Sequence, residues 1–340
     1  MISPGDQKMK ILSIIVPVFN GALHLRKFVE SATALIQQDA VELVFVDDGS
    51  TDQTPNLLSE LGDTYKNIRV ITVANGGQGR AKNLGAASAE GQYFWFADAD
   101  DALLVESDAE EFIRFIESSG AEVIVTGYSR VDAQTGRVLD SYAPTMSTES
   151  PALKLSSTDV FGHSAWNKIV RRDIFLRPDH AFLEGRIHED LAVVPLWVIN
   201  ADVVKYDSSV RYLYGVHASS SIHGNYSRHA DLLFAITHLV NNCKHADERI
   251  GPSIMKELFF YSLPRYAGGV GTGCPVGVFF KSFRDTQTLY RSIPAPRRRV
   301  MLSTFSAAEK FYVRATAAFA WPLPFALSAL KTVSALRKTS

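Results

Sequence analysis

A chain of 340 residues that is 46% hydrophobic and 21% charged has an ordinary globular composition and is long enough to bury the core of one large domain or two smaller ones. Its formal net charge of −1 argues against a whole-molecule preference for nucleic acid. The only cysteines, Cys243 and Cys274, show no CxxC pairing and no metal-ligand spacing, and read as buried or inert thiols in a reducing compartment.

The opening stretch MISPGDQKMKILSIIVPVFN holds an apolar run of about eight residues, broken by Pro17, which is shorter than a signal peptide or a membrane span needs. A cytoplasmic location is the expectation. Four short apolar runs follow in the first third: Ile11 to Val18, Val41 to Val46, Ile68 to Val73 and Tyr93 to Phe96. Between the first two, Leu25, Phe28, Val29, Ala32 and Ile36 recur at helical spacing, and TPNLLSELG and GRAKNLGAASA supply two shorter helical segments. Near-continuous Val, Ile and Phe runs joined by helices predict an α/β fold with a mostly parallel sheet covered on both faces. AEVIVTGY, from Ala121, extends that sheet.

In such a sheet, ligands bind outside the carboxyl ends of the strands. The residues there read PVFN, DDGSTD, ANGGQG and DADD in turn. Converging on one edge, they offer an aromatic, a group of carboxylates and a glycine-rich turn entering a helix, which suits a nucleotide with its metal. In the second loop, Gly49 suits a positive φ and Asp52 a cap on the helix at Thr54, while Asp47, at the tip of a buried strand, can accept an N–H from a base or sugar. Gly77 and Gly79 precede a helix without following the first strand, which speaks against a dinucleotide fold. Arg80 and Lys82, at that helix start, suit a diphosphate better than a packing role.

The fourth loop brings Asp98, Asp100 and Asp101 to the mouth of the core, where like charges repel unless a cation or backbone N–H groups offset them. One of them could cap a helix starting near Ala102, but a cap needs one acid and there are three. An EF-hand loop starting at Asp98 would want oxygen at Ala102, glycine at Leu103 and glutamate at Ala109, and all three fail.

SIIVPVFN, VDDGSTD, NGGQGRAKNLG and FADADD, in this order, resemble the nucleotide-sugar half of family 2 glycosyltransferases of the GT-A fold. The later AWNKIVRRDIF, EGRIHED and YLYGVH resemble the acceptor half of bacterial members that build capsules, exopolysaccharide and lipopolysaccharide. The resemblance spans residues 1–225, divided into a nucleotide-sugar half, 1–105, and an acceptor half, 106–225. It implies an inverting, metal-dependent hexosyltransferase that uses a UDP-sugar with Mn²⁺ or Mg²⁺ and transfers to a hydroxyl of a glycan or lipid-linked acceptor. Carried over by position, it implies that Asp98 and Asp100 form the DxD motif at the metal, with Asp101 extending it. Asp47 and Asp48 would contact the uridine, against which Pro17, Val18 and Phe19 pack, and Gly77, Arg80 and Lys82 would face the diphosphate. Glu189 and Asp190 match an ED pair whose second member is the base, and His217 stands where relatives bring a side chain to the metal or diphosphate. Ala97 and Ala99 stand where relatives often carry larger or polar residues, which bears on the sugar pocket.

Several of these residues have a plainer reading beside the implied one. Glu189 and Asp190 would also suit a helix start, where acids complement the dipole. His217, Trp166 and Trp197 could be packed core residues, although Trp166 lies in a segment that lines the acceptor cleft in relatives. Two rival functions are a nucleotidyltransferase, which would want a basic phosphate loop directly after the first strand, and a catalytically inactive sugar-nucleotide-binding protein.

Residues 226–340 carry no family signal and read as mainly helical and basic. From Lys281 to Ser340, eleven Lys and Arg stand against Asp285 and Glu309, a balance of +9 beside large apolar residues. The longest uncharged stretch there, Ala315 to Leu330, contains Pro322 and Pro324, so a spanning helix is not expected. An interfacial surface attracted to anionic lipid on the cytoplasmic face of the inner membrane is the expectation, with a nucleic-acid role disfavoured.

Overall fold

Seven residues of one strand set the frame: β2 (Val41–Asp47) is buried along its whole length, as an inner parallel strand covered on both faces must be. It pairs in parallel with β1 (Leu12–Val18) on one side and β3 (Ile68–Thr72) on the other, and β1 pairs in parallel with β4 (Tyr93–Phe96). This computed structural model describes residues 10–105, 107–144 and 163–217, together with helical positions Asp231, Phe234, Ala235, His238, Leu239 and Asn242. The chain divides into two units, Met1–His223 and Gly224–Ser340. Cys243, Cys274 and the basic tail lie outside the described residues.

The crossovers are helical for the reasons their residues suggest. Helix α1 (Leu25–Ile36) buries Leu25, Phe28, Val29, Ala32, Leu35 and Ile36, one continuous stripe laid on the sheet. Helix α2 (Thr54–Thr64) starts with Pro55 in its first turn, and Asp52 Oδ1 accepts the Thr54 N–H at 2.9 Å. Helix α3 (Gln78–Ser88) packs through small residues instead: a Cβ on Gly85 would stand 2.5 Å from Ile15 Cγ2, so the helix axis can approach β1 closely.

The sheet order among the described residues is β3-β2-β1-β4, then β8 (Lys168–Arg171), β6 (Val123–Asp132), β9 (Val204–Val216) and β5 (Ala102–Leu103), with β7 (Val138–Tyr142) added on β6. Because β2 and β3 lie on one side of β1 and β4 on the other, the order reverses between β1 and β4, which opens a crevice at their carboxyl ends. Val18 is level with Asp47, and Asp47 with Thr72, so the loops after these strands leave one edge together.

Beyond β4 the sheet is mixed, which the apolar runs did not suggest. The segment from Ala121 does form a strand, β6 (Val123–Asp132), but it does not neighbour β4. β8 (Lys168–Arg171) inserts between them, antiparallel to both. Four residues with a charge at each end give no strand signal, yet Lys168, Ile169 and Val170 are buried because neighbours on both sides cover them. The long β9 (Val204–Val216) runs parallel to β6, with register shifts around Gly127. β5 (Ala102–Leu103) pairs with Leu213 and Tyr212 of β9, tying the DADD loop to the strand that His217 follows. Helix α4 (Ala109–Ser118) buries Ala109, Phe112, Ile113 and Ile116. On the other face, Phe96, Phe175, Phe182 and Trp197 pack with ring centroids 4.8–5.9 Å apart. Trp197 is fully buried there, so its role is core packing.

Candidate active site

The first two strand-end loops are joined by side-chain to backbone hydrogen bonds. Asn20 N donates to Ser50 Oγ at 2.8 Å, Thr51 N to Asn20 Oδ1 at 2.8 Å, and Gly21 N to Thr54 Oγ1 at 2.9 Å. Gly49 turns the chain with a φ of +75° where a Cβ would meet Asn75 N at 2.8 Å. Pro17 and Val18 line the end of β1, and Phe19 stands 54% exposed at its tip.

Asp47 is buried, with Oδ1 accepting the Ser50 N–H at 2.9 Å and Oδ2 left without a hydrogen-bond partner. Among the described residues only Asp47 Oδ2, Thr126 Oγ1 and His217 Nε2 are buried side-chain polar atoms in that condition, and two of the three belong to this edge. A buried acceptor left unpaired is costly unless a ligand satisfies it. Asp48 differs from its neighbour: its two oxygens accept the Gly76 and Gly77 N–H groups, each at 2.8 Å, so its carboxylate shapes the glycine loop. Gly77 caps α3 with a φ of +88° and open space where a Cβ would be. Gly79 serves packing, because a Cβ there would stand 2.4 Å from Leu183 O. Arg80 folds back over Gly76 and donates from Nη1 to Ala74 O at 2.8 Å.

The three acids after β4 separate into different environments. Asp98 accepts Gln78 Nε2 at 2.7 Å on Oδ1, and its backbone N–H reaches the Tyr212 hydroxyl at 3.0 Å. Burial, against the pull of Lys82 and with the push of Asp190 and Asp100, raises its carboxyl to about 6. Asp101 is buried, accepting Tyr212 Oη at 2.7 Å and Gly215 N at 2.8 Å. Burial first, then the charge of Asp98, pushes it up to about 8. It therefore fastens the loop to β9. Asp100 is exposed and faces His217, whose Nε2 lies 3.5 Å from Asp100 Oδ2, and the His24 ring meets the His217 ring edge-on at 6.2 Å.

The second acidic group stands at the N-terminus of helix α5 (Glu189–Ile199), entered through His188 in the left-handed region at φ +64°. Lys82 comes from α3 and is 3% exposed; its Nζ reaches Asp190 Oδ1 at 2.9 Å and Glu189 Oε1 at 3.3 Å and lies 4.8 Å from the centroid of the Phe182 ring. Burial alone would lower the Lys82 ammonium, but Asp190, Glu189 and Asp98 outweigh it and hold the group well above the usual lysine range. Glu189 is raised by burial and by Asp190, with Lys82 opposing. Asp190 Oδ2 accepts the Ala165 N–H at 3.3 Å. The structure thus joins Lys82 to the ED pair, where the sequence reading had it facing a diphosphate.

Trp166, next to Ala165, stacks on Tyr212 and Tyr214 at 4.9 and 5.4 Å and packs, partly buried, against the core. Its carbonyl accepts Trp95 Nε1 at 2.7 Å. Gln78, Tyr212 and the Ala165 N–H were not singled out from the sequence. Gln78 lies inside the NGGQG stretch, where glycine is the stronger local signal. The other two act through contacts across more than twenty residues, which local pattern does not register.

Among the described residues, no three His, Cys, Asp or Glu side chains stand together as a metal cage. A cation that bridges a diphosphate needs fewer protein ligands, because Mg²⁺ and its relatives take one or two carboxylates with phosphate oxygens and water. Asp100 Oδ2 and the unpartnered His217 Nε2, with Asp98 beside them, fit that requirement.

The model for glycosyl transferase family 2 matches residues 13–177. An uncharacterized glycosyltransferase of Escherichia coli (strain K12), YibD, is 27% identical over 280 residues, covering 74% of this chain and 77% of that protein. A putative glycosyltransferase of Bacillus subtilis (strain 168), EpsH, is 28% identical over 218 residues, or 62% of each. Among solved structures, residues 1–349 of Staphylococcus aureus TarS in complex with UDP-GlcNAc superpose with a TM-score of 0.68 at 21% identity, covering 90% of this chain and 88% of that one. That likeness shows the GT-A fold.

Proposed function

Because this chain is a family 2 glycosyltransferase, as its residues 13–177 show, we propose that it transfers a sugar from a UDP-sugar to a hydroxyl of a glycan or lipid-linked acceptor, with inversion, in cell-surface polysaccharide synthesis. The observation that carries this reading is the pairing of two acidic groups from distant parts of the chain. Asp98, just after β4, and Asp190, at the start of α5, are close enough that the charge of Asp190 helps to raise the Asp98 carboxyl, with Lys82 among them. Donor and acceptor chemistry need such neighbouring but distinct sites.

In this mechanism, the orphaned Asp47 Oδ2 accepts an N–H of the uracil or a ribose hydroxyl, and Pro17, Val18 and Phe19 supply the apolar edge for the base. The loop held by Asp48, with Gly77 at its turn, lets the diphosphate approach backbone N–H groups at the α3 N-terminus. Asp190, its Oδ1 on Lys82, takes the proton of the attacking hydroxyl. The oxygen forms a bond to the anomeric carbon as the bond from that carbon to the diphosphate breaks, and UDP departs with the bonding electrons. Asp100, His217 and Asp98 would hold a Mn²⁺ or Mg²⁺ ion, which, when bound, offsets charge on the leaving diphosphate. A solved neighbour, a mannosyltransferase of Pyrobaculum calidifontis, is described in complex with GDP-Man and Mn²⁺. The glycosyltransferase family disfavours the nucleotidyltransferase reading.

The test is a thermal-shift screen of nucleotide sugars with Mn²⁺, followed by a hydrolysis assay of any that bind. Stabilisation by UDP and at least one UDP-sugar, with release of UDP, is expected. Stabilisation by none of them would overturn the donor assignment.

We further propose that the basic tail docks on anionic lipid, keeping a lipid-linked acceptor near the site. No helix among the described residues is long and apolar enough to cross a membrane. Liposome co-sedimentation should retain the full chain on anionic vesicles and lose a chain ending near Asn242; equal partitioning would remove the idea.

A further inference from the structure

Lys168 is a buried charge for which the mechanism above has no use. It has no exposure to solvent, and its place on β8 is between β4 and β6. Its Nζ donates to Ser164 O at 3.1 Å and to Asn167 Oδ1 at 2.8 Å, and its backbone N–H donates to Ala165 O at 3.0 Å. Each of these acceptors belongs to the turn that leads into β8. The turn's remaining carbonyls are also occupied: Trp166 O accepts Trp95 Nε1 at 2.7 Å, and Asn167 O accepts Thr126 N at 3.0 Å. With its carbonyls held inward, the turn directs the Ala165 N–H outward to Asp190 Oδ2.

An ammonium without access to water is costly to keep, and an apolar side chain of the same length would fill that volume at less cost. A local grip on two acceptors four residues and one residue away explains why a lysine stands there: a flexible stem with several donors can hold a carbonyl and a side-chain amide at once. Asp190, from the α5 side, bears on it electrostatically and favours its charged form. Asp190 in turn faces Lys82, Glu189 and Asp98.

We propose that Lys168 is a positioning residue for Asp190, acting through the Ser164–Asn167 turn to keep the Ala165 N–H aimed at Asp190 Oδ2. Lys82 then holds one oxygen of this carboxylate from the donor half, and the Lys168-braced turn holds the other from the acceptor half. The carboxylate is left with one fixed orientation toward an incoming hydroxyl. The inference rests on Asp190 being the base, but the contact can be tested apart from that role.

The test uses the full chain labelled with ¹⁵N-alanine. An amide that donates to a carboxylate changes its chemical shift when that carboxylate takes up a proton, so the Ala165 resonance should respond to acidification. Asp190→Asn should abolish that response and so identify its source. Lys168→Met, which removes the donors and keeps the length, should abolish it too, with the other alanine resonances of the sheet and helices unmoved. Lys168→Gln, which restores an amide donor without the charge, should recover at least part of it. An unchanged Ala165 response in a folded Lys168→Met chain would overturn the inference, as would loss of the response in both variants through general unfolding of the alanine spectrum, which would make Lys168 a core residue only. Retained turnover in Asp190→Asn would instead overturn the assignment of the base.

Discussion

Lys82 Nζ lies 2.9 Å from Asp190 Oδ1 and 3.3 Å from Glu189 Oε1, a contact closed across more than a hundred residues of sequence. Breaking a buried pair from one side leaves uncompensated charge. Lys82→Met should therefore cost roughly 3 kcal/mol or more, by the usual range for such losses, as read by urea denaturation. Lys82→Arg should recover part of both stability and turnover, since the charge stays but the guanidinium does not fit the same volume.

Asp190→Asn should remove turnover while leaving UDP-sugar binding intact, because the amide cannot accept the hydroxyl's proton. Isothermal titration and a transfer assay on the same preparation separate the two. Should Asp190→Asn keep most of its activity while Glu189→Gln does not, the roles of the pair are exchanged.

Asp100 is exposed and touches His217 alone among the contacts described above, so Asp100→Ala should leave the melting temperature within a degree or so of the parent, a typical surface effect. Transfer should be abolished, and His217→Ala should weaken the response to Mn²⁺. Full activity in excess EDTA would sink the proposed cation.

The two glycines at the α3 start should respond differently to alanine. At Gly77 a Cβ meets open space but the φ of +88° strains any other residue, at a cost of about 1 kcal/mol. At Gly79 the φ is helical but the Cβ would stand 2.4 Å from the Leu183 carbonyl, so Gly79→Ala should destabilise more and disturb the contact between the two acidic groups. Chemical denaturation of both variants decides the order.

Burial lowers Lys168 from the ordinary lysine value of 10.5 to about 7, with Asp190 opposing. Between those values the unfolded chain holds a proton that the folded chain has lost, so this residue makes stability rise with pH across that window and contributes no slope below about 7. Asp101, raised to about 8, has the opposite slope from its ordinary value of 3.8 up to about 8. The difference in unfolding free energy between the parent and Lys168→Met isolates the lysine: it should be flat below pH 7 and then change in the parent's favour toward pH 10.

The four strand-end loops were legible in the sequence because parallel strands declare themselves locally. A run such as Val41 to Val46 is buried whatever its neighbours, helical spacing in between sets the crossovers, and alignment of the strand ends follows from the sheet itself. That alignment is what brings Asp47, Gly77, Asp98 and Asp100 to the strand-end loops. What each acid does after reaching the edge was decided by partners far away in sequence. Asp101 was drawn into the core by Tyr212 and Gly215, Asp48 was taken up by Gly76 and Gly77, and Lys82 crossed to Glu189 and Asp190. β8 was invisible for the same reason: four residues become a strand only when β4 and β6 offer their hydrogen bonds on either side, and Lys168 is buried only because they do. Apolar periodicity reports the burial of a segment against any core, whereas the charge and orientation of a buried polar group depend on the particular atoms that tertiary packing brings to it.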